Sequence, residues 1–551
     1  MNTTVAARDR AHLEKLIAKA MASGGDTCSL NHIDVCEIED FSGLFSEDYS
    51  TFNGDISLWN TSRATNMEAM FHGSQFNGDI ADWNVANVVD MSQMFNSAMF
   101  NGDISKWNTS KVKTMVLMFE NSVFQGNISR WDTRSLEDMG RMFENSQFNG
   151  DISTWQTGRV WDMSSLFKNS QFNGDISGWD TSNVTTMAGM FAKSAFRRDL
   201  GQWNTGKVTD MSQMFAQAHA APPGLKHWDT SRVVSMKEMF HSCPVGNVLA
   251  SWNVGRVENF AGMFKSSGFN GDISQWNVSS GTNMSNMFFG SDFNGDISQW
   301  DVSRVTTMDS MFGTGAFDGD ISNWETTRVD SMRAMFFKSP FKGDLSRWDV
   351  SNVREMDQMF FEAQFDGDLS GWDVGQVASM HMMFAKSLFS HDVSMWRPLS
   401  LGKPEALFGQ ASVRTGGSNT PAKRHAQDVM ARALADPARF SAKGMFLRTT
   451  YAHDVSAWDL PLTVDATQMF HMNEAGLLAQ SMRPWTIRLH VQEHSTPQDP
   501  YWKELFLDMA PIGESLGLST AQQAQIIWNA HLGVNMEQGL PELGPETGAL
   551  F

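Results

Sequence analysis

Residues 172–195 read FNGDISGWDTSNVTTMAGMFAKSA, and the residues on either side carry the same pattern. Trp179 in this stretch is one of fifteen tryptophans on a single comb. The comb runs Trp59, Trp83, Trp107, Trp131, Trp155, Trp179 and Trp203. It slips by one residue to Trp228 and continues through Trp252, Trp276, Trp300, Trp324, Trp348, Trp372 and Trp396, otherwise at steps of 24. A fixed period of about 20 to 50 residues marks a solenoid, in which single units cannot bury their apolar faces and stacked neighbours do so together.

With tryptophan as position zero, each unit can be read in turn. Position +8 is Met from Met67 to Met380 except for Phe260, and +11 is Met from Met70 to Met383 except for Leu166. Position +12 is Phe from Phe71 to Phe408. Spacings of three and four place side chains on one helical face. Position +7 is Asn, Asp, Thr or Ser in Asn66, Asp90, Thr114, Asp138, Asp162, Thr186, Asp210 and Ser235, residue types that cap a helix start. The pattern therefore predicts a short capped helix from +8 to about +14. Ile80 to Val85 and its equivalents read as a short strand, and the Asn-Gly-Asp of Asn77–Asp79 as a turn. The expected fold class is an α/β repeat solenoid, leucine-rich-repeat-like, with one short strand and one short helix per 24-residue coil.

The ends depart from the repeat. Residues 1–30 hold Leu13, Leu16, Ile17, Ala20 and Met21 on one helical face and are expected to cap the first coil, because an open solenoid end exposes its core. Residues 31–411 form the array. Residues 412–444 read as a helical insertion, 445–471 as a residual repeat ending on Met469 and Phe470, and 472–551 as an α+β C-terminal cap or accessory domain. Ala220-Ala221-Pro222-Pro223-Gly224 replaces one turn where the comb slips. A proline pair cannot keep ladder hydrogen bonds, so a bulge or kink is expected there.

Lys plus Arg number 42 and Asp plus Glu 62, a formal charge of −20. Such a chain repels phosphate backbones, which argues against a nucleic-acid partner. Cys28, Cys36 and Cys243 fit neither a zinc pattern nor a disulfide framework. No apolar run is long enough to span a membrane. Neither a secretory signal nor a wall anchor is read in the chain.

Phe-Asn-Gly-Asp-Ile stands intact seven times, beginning at Phe52, Phe76, Phe100, Phe148, Phe172, Phe269 and Phe293. Together with the W-N/D-T/V-S-x-V-x-x-M-x-x-MF pattern that follows, these repeats resemble the BspA-like leucine-rich-repeat surface proteins. More narrowly, they resemble the bacterial surface-protein repeat of about 25 residues found in mycoplasma and listerial lipoproteins. The resemblance implies a leucine-rich-repeat-like solenoid, surface display, and adhesion to proteins of a host or a neighbouring cell. It carries no catalytic residues. Localisation is expected at the cell surface or in secreted form by this resemblance, with the cytoplasm left open by the missing signal.

Candidate chemistry is sparse, and no enzyme is expected. His490-Val491-Gln492-Glu493-His494 matches an inverted zinc-protease motif. However, Ile487, Leu489 and Val491 alternate with polar residues as on a strand, where residues four apart are separated by about 13 Å and cannot share a metal. No metal and no cofactor is assigned. The clearest candidate is position +4, basic in Arg63, Lys111, Arg159, Lys207, Arg232, Arg256, Arg304 and Arg328. This row is expected either to pair with the acidic ladders at +1 and +20 or to dock an acidic protein or a glycan. The function expected is a non-enzymatic protein-binding and adhesion solenoid, a bacterial surface or exported protein recognising its partner along the strand face. The alternatives are an intracellular scaffold, phage component or effector; an ice- or mineral-binding protein using a Thr ladder at +2 (Thr61, Thr109, Thr133, Thr157, Thr181, Thr205); and a zinc hydrolase in the C-terminal segment.

Overall fold

The computed structural model describes residues 4–393 and Trp396. The chain divides into two compact units, Met1–Gly281 (unit 1) and Thr282–Phe551 (unit 2). Unit 1 begins with strand β1 (Val5–Ala6), helix α1 (Arg10–Gly24) and strand β2 (Ile33–Asp34), the two strands pairing in parallel. The Asp9 carboxylate accepts the His12 amide at 2.8 Å and starts α1. Gly25 closes it at φ 71°, donating its amide to the Met21 carbonyl. Leu13 and Ile17 are the buried stripe of α1.

Stacked coils follow, and their core consists of the repeated positions. Among the described residues, the tryptophans of the comb, the +8 and +11 residues, the phenylalanines at +12 and +17 and the aliphatic residues at −3 are all at most 4% exposed. In unit 1 the indoles of Trp59 and Trp83 stack with centroids 6.3 Å apart and planes 6° apart, and those of Trp228 and Trp252 at 6.5 Å. In unit 2 Trp324 and Trp348 stack at 6.2 Å. The two phenylalanines of one coil also meet, Phe191 and Phe196 at 4.4 Å in unit 1 and Phe360 and Phe365 at 4.4 Å in unit 2. Each buried indole contributes about 5 kcal/mol of gross hydrophobic stabilisation. Its N–H is also satisfied: Trp179 Nε1 donates to the Ile152 carbonyl of the preceding coil at 3.1 Å.

The short helix expected at +8 to +14 is absent from every described coil. In the coil of Trp179, the amides at +8, +10, +12 and +14 reach forward to the next coil: Met187 to Asp210 O, Gly189 to Ser212 O, Phe191 to Met214 O and Lys193 to Ala216 O, at 2.7 to 3.0 Å. The intervening amides close tight turns, Met190 to Met187 O, Ala192 to Gly189 O and Ser194 to Phe191 O. Positions +10 and +14 are left-handed throughout, as in Leu117 at φ 60° and Asn121 at φ 54°. Unit 2 repeats this, with Ser310 donating to Arg333 O and Phe312 to Met335 O.

The physical reason is a competition for amides. A seven-residue helix closes few internal bonds against a costly nucleus, whereas a stacked coil offers a carbonyl every second residue. Left-handed backbone costs a non-glycine residue about 1 kcal/mol or more, and the inter-coil bonds offset it. The caps expected at +7 still accept amides, but they close turns. Asp210 Oδ1 takes the Ser212 amide at 2.8 Å.

The strand expected over Ile80–Val85 is also absent. Turns replace it, the Trp83 amide reaching Ile80 O and the Val88 amide reaching Val85 O. Between the described coils, parallel pairing is confined to single bridges at +7, such as Thr186 with Asp210 in unit 1 and Ser331 with Glu355 in unit 2. The chain is therefore a repeat protein of stacked turns. The proline pair forms a local bulge around a 3-10 turn, Leu225–His227. Trp203 and Trp228 still stack across it at 6.4 Å and 5°, so the core ladder passes the slip intact.

Candidate binding face

Each coil presents two outward positions beside the +7 bridge, +4 and +6, with the aliphatic +5 pointing inward between them. In unit 1 the +6 amides bond backwards in an unbroken line, from Lys113 to Val89 O, Glu137 to Lys113 O, Trp161 to Glu137 O and Thr185 to Trp161 O, at 2.8 to 2.9 Å. This line holds the +4 row rigid along the stack.

All eight basic residues named from the sequence are exposed: Arg63, Lys111, Arg159, Lys207, Arg232 and Arg256 in unit 1, Arg304 and Arg328 in unit 2. None of the eight forms an ion pair with a described residue of the acidic ladders at +1 and +20; Arg63 pairs instead with Glu37 and Glu39 of the coil before it. Among the described residues, Arg159, Arg232, Arg256, Arg304 and Arg328 make no ion pair. The cause lies in the acids, which are occupied by their own turns. Asp180 at +1 takes the Ser182 amide at 3.0 Å, and Asp229 takes the Ser231 amide at 2.9 Å. Bonds from Ser182 and Ser231 hold both carboxyls below the ordinary range, with Lys207 and Arg232 adding a smaller pull. Asp103 at +20 is likewise held low by the Ser105 amide, 2.9 Å away. The Asn-Gly-Asp aspartates thus close their own loops.

The row has a finer order. Lys111 Nζ leans on Asn87 Oδ1 at 2.7 Å, and Lys207 Nζ on Asn183 Oδ1 at 2.6 Å. Asn87 and Asn183 in turn donate to Ser62 O and Gly158 O of the coil before them. Sequence reading missed Trp161, at +6 beside Arg159. It is 46% exposed and stacks on no other ring among the described residues. One signal was available: Trp161 is the single tryptophan between Trp59 and Trp396 that is off the comb.

A second position, +13, carries polar networks in part of unit 1 and a ring pair in unit 2. In unit 1 Asn96 Nδ2 donates to Glu120 at 2.7 Å, Arg141 bridges Glu120 and Glu144 at 2.9 and 2.6 Å, and Lys168 reaches Glu144 at 2.9 Å. Glu120 and Glu144 are 8% and 4% exposed. Burial raises the Glu144 carboxyl, but bonds from Arg141 and Lys168 outweigh it and leave the group below its ordinary value. In unit 2 Phe337 and Phe361 stack at 5.1 Å, with Lys338 and Lys386 each 5.4 Å from a ring centroid.

The threonine ladder at +2 is buried, from Thr61 at 0% to Thr133 at 2% exposed. Its hydroxyls donate to the next coil, as Thr181 does to Asn204 O at 3.0 Å. The ladder therefore presents nothing to ice or mineral, and that alternative is withdrawn. The His490–His494 motif and the segments 412–444, 445–471 and 472–551 lie outside the described residues. Among the described residues no cluster of three or more His, Cys, Asp or Glu is placed to hold a metal, and no helix is long and apolar enough to cross a membrane.

A family model described as "Mycoplasma protein of unknown function, DUF285" matches seven overlapping stretches: 18–123, 98–194, 119–223, 145–248, 213–316, 244–340 and 313–419. No curated protein and no solved structure matches the chain.

Proposed function

We propose, for a chain that belongs to this family of unknown function, a non-enzymatic role as a binding solenoid whose +4 row engages an acidic partner. The observation that carries the reading is a row of exposed cations that, apart from Arg63, form no ion pair with a carboxylate among the described residues, in a chain of net charge −20. Ordinary surface lysines and arginines on so acidic a protein have many acids to choose from, and here turn formation has taken those acids away. Exposed, aligned charges raise local ligand concentration and steer association. The resemblance to BspA-like leucine-rich-repeat surface proteins supports display or export and an adhesive role, with a protein or a glycan as partner.

The test is a charge reversal confined to unit 1, Arg159→Glu with Arg232→Glu and Arg256→Glu. Binding of labelled poly-glutamate to the full chain is measured at low and at physiological salt. The variant is expected to lose at least about tenfold in affinity, and the parent to weaken as salt rises. Equal affinity in parent and variant retires the row as a binding element.

A further inference from the structure

From Arg63 to Lys207 the +4 row alternates. Cations stand at Arg63, Lys111, Arg159 and Lys207, and neutral residues at Asn87, Ser135 and Asn183 between them. The neutral residues face backwards: Ser135 Oγ donates to Ser110 O at 2.7 Å, as Asn87 and Asn183 donate to their own preceding coils. Charge therefore recurs every second coil, not every coil. Arg63 is neutralised by Glu37 and Glu39, which leaves Lys111, Arg159 and Lys207.

Coils in the hydrogen-bonded line at +6 and +7 are one strand spacing apart, so two coils span about 9.6 Å. A ligand that matches this row must repeat its negative charge at that distance on one face. An extended β-strand brings side chains back to one face every about 6.8 Å and misses. Two turns of an α-helix give about 10.8 Å and drift by more than an ångström at each step. A polyproline II helix has three residues per turn and a rise of about 3.1 Å, returning to the same face every about 9.3 Å.

The neutral polar groups on this face argue against a sugar. A saccharide needs many side-chain partners for its hydroxyls. Here Thr185 Oγ1 donates to Trp161 O, Thr209 Oγ1 to Thr185 O, and Asn183 to Gly158 O. The Lys113–Glu137 pair at 3.1 Å cancels the charges at +6. The face is left with separated cations and one exposed indole, Trp161, two residues beyond the central Arg159. Polyproline II ligands dock on aromatic rings and lose little entropy on binding, because the helix is preformed.

We propose that the Lys111–Arg159–Lys207 row with Trp161 binds a proline-rich peptide segment in polyproline II conformation that carries a carboxylate at every third residue. Each carboxylate meets one cation, and a proline ring beside the central carboxylate packs on the Trp161 indole. Asn87 and Asn183 hold the two lysines in register. This rests on the reading of the +4 row as an acidic-partner site and names the partner's chemistry.

Fluorescein-labelled (Glu-Pro-Pro)4 is titrated with the full chain, against an isomer of the same composition with its glutamates clustered, poly-glutamate, and a polysaccharide in which every second ring is a uronic acid. The spaced peptide is expected to bind at least about tenfold tighter than the clustered isomer. Arg159→Glu and Trp161→Ala each weaken it by about tenfold. Both residues are exposed, and the circular dichroism of each variant is compared with that of the parent as the control for folding. Equal binding of the two isomers, or an unaffected Trp161→Ala variant, overturns the register while poly-glutamate binding keeps the basic row. Tighter binding of the polysaccharide overturns the peptide in favour of a glycan. Silence from all four probes removes the row and the peptide together.

Discussion

Three successive coils of unit 1 carry ions at +13, Glu120, Glu144 and Lys168, and two successive coils of unit 2 carry rings there, Phe337 and Phe361. In the first, Arg141 sits between Glu120 and Glu144, with Asn96 and Lys168 extending the chain of bonds from coil to coil. In the second, Phe337 lies flat against Phe361, and Glu362 ties Lys338 and Lys386 at 3.0 and 2.9 Å across the same seam. The backbone beneath is the same: Asn121 and Lys338, both at +14, have φ of 54° and 51°. Two opposite chemistries thus sit on one scaffold. The lesson is that the inward rows and the inter-coil amides define the coil, and an outward position needs only neighbours that suit one another.

Three substitutions break or sharpen this comparison. The largest effect belongs to the part the units share. Trp179→Ala removes an indole stacked on Trp155 at 6.4 Å and its bond to Ile152 O. It is expected to lower stability by about 3 to 5 kcal/mol in denaturant titration. A loss under about 1 kcal/mol would mean that the comb does not carry the fold.

Next comes Arg141→Ala, which leaves Glu120 and Glu144 buried with one cation fewer. A fully buried pair broken this way loses more, but Arg141 is partly exposed, so the expectation is about 2 kcal/mol at neutral pH. The Glu144 carboxyl is held below its ordinary value in the fold. Its contribution is therefore fully present above the unfolded value, about 4.3, and disappears as pH falls through the lower folded value. The gap between parent and variant should shrink as the pH falls below about 4.3 and the Glu144 carboxyl takes up its proton. A gap that stays constant with pH contradicts the ionic account of +13 in unit 1.

Phe361→Ala has the smallest effect. The ring pair is half-buried, and its loss is expected to cost about 1 kcal/mol, with no dependence on pH between about 3 and 7. If this variant titrated like Arg141→Ala, the contrast between the units would dissolve into a common electrostatic effect of the flanking lysines.

Much of the scaffold was legible from single residues. The tryptophan, methionine and phenylalanine rows follow the period of the apolar comb, and the structure buries all of their described members. The +7 residues were read as amide acceptors, and Asp210 and its equivalents are. The +4 cations were read as outward-facing, and all eight are exposed. The helix was misread because residues at +8, +11 and +12 satisfy helical spacing equally well when two successive turns, each with a left-handed residue, bring them to one side. The acceptors that decide between these backbones, such as Asp210 O for the Met187 amide, belong to a coil 24 residues away and leave no local trace. Trp161 escaped because attention to the comb hides a tryptophan that is off it.

Period, composition and residue type by themselves determined that this chain stacks similar units, which side chains fill the interior and which positions face water. That follows because burial of apolar surface is nearly additive along a repeat and is written residue by residue. Only the tertiary arrangement decided that the coil is built of turns, that the acids close loops and leave most of the +4 cations bare, and that the alternating charges of the +4 row in unit 1 stand two strand spacings apart. Those outcomes depend on which amide, carbonyl and carboxylate stand within about 3 Å of one another, and that proximity is created between coils.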